Sequence, residues 1–161
     1  MLCRLLLMRH AKSSPAGEVF ADHERPLDAK GVGDAPKMAM EILKAGYEPG
    51  LVLCSDSQRT LSTWALMAPS FSANMPVEKS TSLYNSNADT YLKFVAEQNF
   101  GGHTLLLIGH NPVVEDLIAE LADKWVVMKP ANIGVLETRA GSWQEALSQM
   151  SVWKLVRILS C

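Results

Sequence analysis

Three short runs of this chain, "CRLLLM" ending at Met8, "LVLCS" starting at Leu51 and "HTLLLIG" ending at Gly109, are apolar almost without interruption. A strand with one face in water alternates apolar and polar residues. A run that is apolar at successive positions is covered on both faces, as in α/β proteins whose sheet lies between helices. In such folds ligands bind where the strands give out, at their carboxyl ends. The first run gives out on Arg9 and His10. A strand end that meets water turns polar in any case, and one basic residue there asks for no further explanation. An adjacent arginine and histidine ask for one.

Between these runs the chain reads as helix. Asp28 is placed to cap a helix carrying Met38, Ile42 and Leu43 at helical spacing, with Gly46 as its stop. A second helix is expected from about Ser57 to Met67, and a third in "ADTYLKFVAEQ". A fourth, "NPVVEDLIAELA", has Pro112 in its first turn, where a missing N–H costs nothing. "VEKSTSLY" is a weaker strand candidate, and "IGVLETR" and "VWKLVRIL" are two more strands, parted by a segment with a Gly-Ser turn. Strand and helix alternate for most of the length. The expectation is one three-layer α/β/α domain over residues 1–161 with a mainly parallel central sheet.

With 48% hydrophobic and 20% charged residues the chain has a globular composition, and 161 residues suffice for one self-supporting core. A net charge of −2 gives no reason to expect nucleic acid or an anionic membrane as partner, so any basic cluster serves a local site. Cys3, Cys54 and Cys161 lie far apart without metal-ligand or disulfide spacing, which points to free thiols and a cytoplasmic location. No apolar run approaches the roughly 20 residues that span a bilayer. The start of the chain is too short and too charged for a secretory signal, and a monomer is expected.

The three strong strands share one chemistry at their ends. The first ends in Arg9 and His10, the second leads through "SDSQRT" to Arg59 in the first turn of a helix, and the third ends in "GHNP" with His110. Laid side by side, they gather two arginines and two histidines beside helix N-termini, whose free N–H groups also favour anions. Each residue alone has an ordinary structural explanation, a cap or a solvated charge. Together they describe a phosphate pocket.

These residues also resemble a known family. "LMRHAKSS", "DHERPLDAKG", "LVLCSDSQRTLST" and "LLLIGHNPVVEDL" are similar, in order and spacing, to the motifs of the histidine phosphatase superfamily with its phosphoglycerate-mutase-like fold. The small form, with "ERPL" soon after "RHAKS", looks most like the SixA-type phosphohistidine phosphatases. The resemblance implies that His10 is the nucleophile and that Arg9, Arg59 and His110 hold the phosphoryl oxygens. It implies substrate contacts from Arg25, Ser13 and Asn111. Arg9 and Arg59 disfavour another cation and so push the His10 pKa down, which keeps its ring nucleophilic. The chain departs from the family at Ala11, where glycine is common, at Ala16 in place of asparagine, and at Asp56 in place of proline. The last substitution puts a carboxylate near an anion pocket.

Relatives that cleave phosphate esters use a carboxylic acid from the middle of the chain to protonate the leaving alkoxide. Here that region offers only Glu78 and Asp89, neither in a recognisable acid motif, and water as the remaining donor. His10, His23, His103 and His110 lack the close pairing of metal ligands, so neither metal nor other cofactor is expected. The expected activity is therefore metal-independent dephosphorylation of phosphohistidine in a partner protein. A phosphatase of a small phosphate ester and a phosphate-sensing module without turnover are the alternatives.

Overall fold

A computed structural model describes residues 1–17, 19–150 and 152–161. Six strands form one sheet: β1 (Leu2–Arg9), β2 (Leu51–Ser55), β3 (Val77–Ser80), β4 (Thr104–Gly109), β5 (Ile133–Arg139) and β6 (Lys154–Leu159). Their order is β3-β2-β4-β1-β5-β6, with the first four mutually parallel and β5 and β6 antiparallel to their neighbours. The three strands that the apolar runs predict are adjacent, β2-β4-β1, so their carboxyl ends open at one edge.

Both faces are covered. Leu5, Leu7, Leu53, Leu105 and Leu107 point to one side, where α3 (Ala88–Ala96), α4 (Val113–Ala122) and α5 (Trp143–Ser148) pack on them through Tyr91, Leu117 and Trp143. Leu6, Met8, Val52, Cys54, Leu106 and Ile108 point to the other, under Met38 and Ile42 of α1 (Ala29–Lys44) and Trp64 and Met67 of α2 (Gln58–Met67). Successive leucines of one strand thus enter two different cores, which is why these strands carry no polar alternation. No helix among the described residues is long and apolar enough to cross a membrane.

The two signals read at the ends of the first helix act as expected, whereas Pro112 stands just ahead of α4 (Val113–Ala122), at its cap, and not inside its first turn. The Asp28 carboxylate accepts from the Gly31 N–H at the start of α1, and Gly46 follows its end with a φ of 72°. Ser57 caps α2 and Asn87 caps α3. The sequence reading missed α5, which lies where only a turn between the last two strands was expected. Ser142 caps this helix, and Trp143 is buried in the first core. Six residues are too few to show a helical period, so the pattern gave no sign of it.

Candidate active site

β1 delivers His10 to the open edge of the sheet. The His10 N–H donates to the Gly109 carbonyl at 3.0 Å, and the Arg9 N–H donates to the Asn132 carbonyl. The Ala11 N–H donates to Thr63 Oγ1 on α2 at 3.0 Å, so the backbone around the histidine is held from three elements. Gly31 adds a close approach: a Cβ there would lie 2.1 Å from the Lys12 carbonyl oxygen, so α1 can reach the loop only as glycine.

His10 is buried, with 8% of the residue exposed. Its Nδ1 lies 2.7 Å from the Ala11 carbonyl oxygen, which can only accept, so Nδ1 carries the ring proton. Nε2 keeps a lone pair, and Arg59 Nε donates to it at 3.2 Å. Burial pushes the His10 pKa down to about 4, with smaller contributions from Arg59, Arg9 and Arg25 against the raising effect of the Ala11 carbonyl. The arginines that the sequence identifies act in the expected direction. Burial, which the sequence does not state, does more.

His110 follows β4 with its ring centroid 5.3 Å from that of His10. Its Nε2 meets Ser55 Oγ, at the end of β2, at 2.8 Å, and its Nδ1 is buried without a partner. Burial, then the neighbouring His10 and Arg59, hold its pKa down at about 3. The His110 N–H donates to the Tyr91 hydroxyl, which itself donates to the Leu83 carbonyl. A Cβ at Gly109 would come within 2.6 Å of that hydroxyl.

The remaining expected residues divide. Arg9 Nη1 donates to the Met128 carbonyl at 2.9 Å, and its Nε is a buried donor without a partner among the described residues. Asn111 Nδ2 donates to the same carbonyl at 3.0 Å and to Glu115. Arg25 spends its donors on its own loop, with Nε to the Ser14 carbonyl, Nη2 to Ser13 Oγ and Nη1 to Asp22. Ser13 and Arg25 thus bond each other. Asp89 pairs with Lys93 on the exposed face of α3, and Glu78 is exposed on the edge strand β3, so neither shows a bond to the four charged or imidazole groups. Asp56, the departure from the family's proline, binds His23 at 2.9 Å and Thr81 Oγ1 at 2.7 Å, away from His10.

Two residues of the site were not singled out from the sequence. Asp22, in a short 3-10 turn (Asp22–Glu24), accepts from Arg59 Nη1 through its carbonyl at 2.7 Å and from Arg59 Nη2 through its carboxylate at 3.3 Å. Tyr84 donates to that carboxylate and shares a cleft of about 150 Å³ with Arg59, His110 and Asn111. The bonds from Tyr84 and Arg25 hold the Asp22 carboxyl far below the usual range, so it is ionised. Asp22 stands in the stretch "DHERPL", but nothing in the sequence says that it folds onto an arginine 37 positions away.

The arrangement is a neutral imidazole whose unprotonated nitrogen accepts from a guanidinium, with the buried Arg9 Nε donor close by in the chain. It can take a nucleophilic role toward an anionic centre. Among the described residues no three His, Cys, Asp or Glu side chains group to hold a metal ion.

No family model matches the chain. It is 31% identical over 163 residues to an uncharacterised chloroplastic protein of Arabidopsis thaliana, a match covering 94% of this chain and 75% of the relative. Its structure is similar to that of an Agrobacterium tumefaciens chain assigned as the phosphohistidine phosphatase SixA, at 25% identity over 99% of this chain and 98% of that one, with a TM-score of 0.80. It is also similar to the protein histidine phosphatase SixA complexed with tungstate, at 20% identity over 98% and 96% of the two chains, with a TM-score of 0.81. On a fold shared over nearly its full length, with the motifs that carry His10, Arg59 and His110, the chain belongs to the histidine phosphatase superfamily, beside its SixA members.

Proposed function

We propose that residues 1–161 act as one histidine phosphatase domain that removes the phosphoryl group from phosphohistidine in a partner protein. One observation carries the reading: His10 is buried and neutral with its proton fixed on Nδ1 by the Ala11 carbonyl, leaving Nε2 unprotonated, with a lone pair that accepts from Arg59 Nε. A module that only bound phosphate would gain nothing from an uncharged imidazole, since a cation there binds an anion better.

In the first step Arg59 Nε gives up its bond to Nε2 for a phosphoryl oxygen, the released lone pair attacks phosphorus, and the bond from phosphorus to the leaving nitrogen breaks with its electron pair going to that nitrogen. Arg59 and Arg9 stabilise the charge spread over the phosphoryl oxygens. In this reading Ser55 Oγ donates to His110 Nε2, and His110 carries its proton on the buried Nδ1 as a donor for one of those oxygens. In the second step water attacks phosphorus, the bond to Nε2 breaks with its pair returning to His10, and one proton of the water passes to an oxygen of the departing phosphate. The histidine leaves as a neutral ring because the Ala11 carbonyl holds its Nδ1–H throughout.

The two carboxylates considered as proton donors make no bond to the site, and the one that does, Asp22, is ionised. Expelling an alkoxide without a positioned acid forfeits roughly 100- to 10,000-fold. An imidazole with its second nitrogen protonated departs without that help. This favours phosphohistidine over a small ester. The test is turnover of a phosphorylated histidine-containing protein beside sugar, nucleotide and aryl phosphates, with and without EDTA. The reading expects preference for the phosphohistidine protein, a steep dependence of ester hydrolysis on leaving-group pKa, and no loss on chelation. Equal rates on alkyl phosphates, abolished in Glu78→Gln or Asp89→Asn, would replace it with the ester reading.

A further inference from the structure

The Asp22 carboxylate is out of place in a pocket built to receive an anion. It is bonded to the same guanidinium that bonds the nucleophile, yet the mechanism above gives it no task. Burial does not hide it, since its side chain is 45% exposed and open to an incoming molecule. Nor can it serve as a proton donor, because Tyr84 and Arg25 keep it ionised.

We propose that Asp22 is a specificity-determining residue, whose carboxylate receives the N–H of an imidazole leaving group beside the Tyr84 ring and turns away substrates that carry a second anion. This rests on the phosphohistidine reading and names what selects that substrate. Three observations point to it. His10 Nε2 and the Asp22 carboxylate are both hydrogen-bonded to the one Arg59 guanidinium, at 3.2 and 3.3 Å. Among the described residues Asp22 Oδ1 accepts only from Arg25, at 2.9 Å, while Oδ2 takes Tyr84 and Arg59, so a carboxylate with about four acceptor positions has one left for a further donor. Tyr84 supplies a flat wall: its ring stands edge-on to His110 at 5.7 Å and to His23 at 4.7 Å, and it lines the cleft shared with Arg59 and His110.

The chemistry follows from the charges. With its far nitrogen protonated, the phosphoimidazole ring is a cation until the bond to phosphorus breaks, and a fixed carboxylate favours that form. When the bond breaks, its electron pair goes to the departing nitrogen, and the ring leaves neutral with its N–H still on Asp22. A phosphate ester bearing a carboxylate or second phosphate brings a negative charge to the same carboxylate and is repelled.

The experiment compares kcat/KM for N-phosphoimidazole, phenyl phosphate and 4-carboxyphenyl phosphate in the unaltered protein, Asp22→Asn and Asp22→Ser. Relative to their rate on phenyl phosphate, both variants are expected to lose about tenfold or more on N-phosphoimidazole and to gain on 4-carboxyphenyl phosphate. A merely structural role in orienting Arg59 would lower all three rates together. Equal losses on the three substrates overturn this inference and leave the hydrolase reading standing. An unaltered protein that turns over none of them overturns the hydrolase reading and this inference with it.

Discussion

Keeping His10 and His110 uncharged has a cost that appears on acidification. In the unfolded chain a histidine takes up its proton near about pH 6.5. In the fold, burial holds His10 down at about 4 and His110 at about 3. Below pH 6.5 the unfolded state therefore binds more protons than the native state, and stability falls as pH falls. At pH 5 the two histidines together remove about 4 kcal/mol, a large part of a typical total of about 5–15 kcal/mol. The Asp22 and Asp56 carboxyls, both held below their ordinary range, keep their contributions at pH 5 and lose them only under about pH 4. Urea unfolding at pH 7 and pH 5 measures the effect. The His10→Gln, His110→Gln double variant cancels every other group in the chain. The parent should lose about 4 kcal/mol more than the double variant across that interval. Equal losses in the two proteins would mean that the imidazoles are not held neutral, and the nucleophile would then lack the lone pair assigned to it.

Arg59→Ala should lower kcat/KM by on the order of 100-fold or more through loss of a preorganised charge donor. Lys12→Ala should change it far less, because that side chain is exposed and meets only Asp28, at 3.8 Å; steady-state kinetics separate the two. Gly31→Ala pushes a Cβ against the Lys12 carbonyl and should cost about 1–3 kcal/mol with a matching fall in Tm. Gly33→Ala, where nothing lies within 4 Å, should instead stabilise slightly.

Much of this was readable in the chain because the strands announce themselves. Leu5 to Met8 and Leu105 to Ile108 feed two cores at once, and no exposed strand or amphipathic helix of that length shows such a run. The ends of β1, β2 and β4 could be named once the runs were known, and with them His10, Arg59 and His110. What stayed hidden depends on contacts across long separations. Asp22 reaches Arg59 and Tyr84 only because a turn folds back over the edge of the sheet. Asp56 turns to His23 and Thr81 instead of the nucleophile for the same reason. The leading part of burial in lowering the His10 pKa was equally out of reach, since burial belongs to the packed fold and to no stretch of sequence.

The central claim is that His10 Nε2 carries the phosphoryl group between two half-reactions. Rapid mixing of the protein with a radiolabelled phosphohistidine-containing protein, quenched in alkali and followed by peptide mapping, tests it directly. The account predicts a label stable in alkali, lost in acid, located in the peptide that contains His10, and absent from His10→Ala. Label that persists on His10→Ala, or turnover by that variant at the parent's rate, would contradict it.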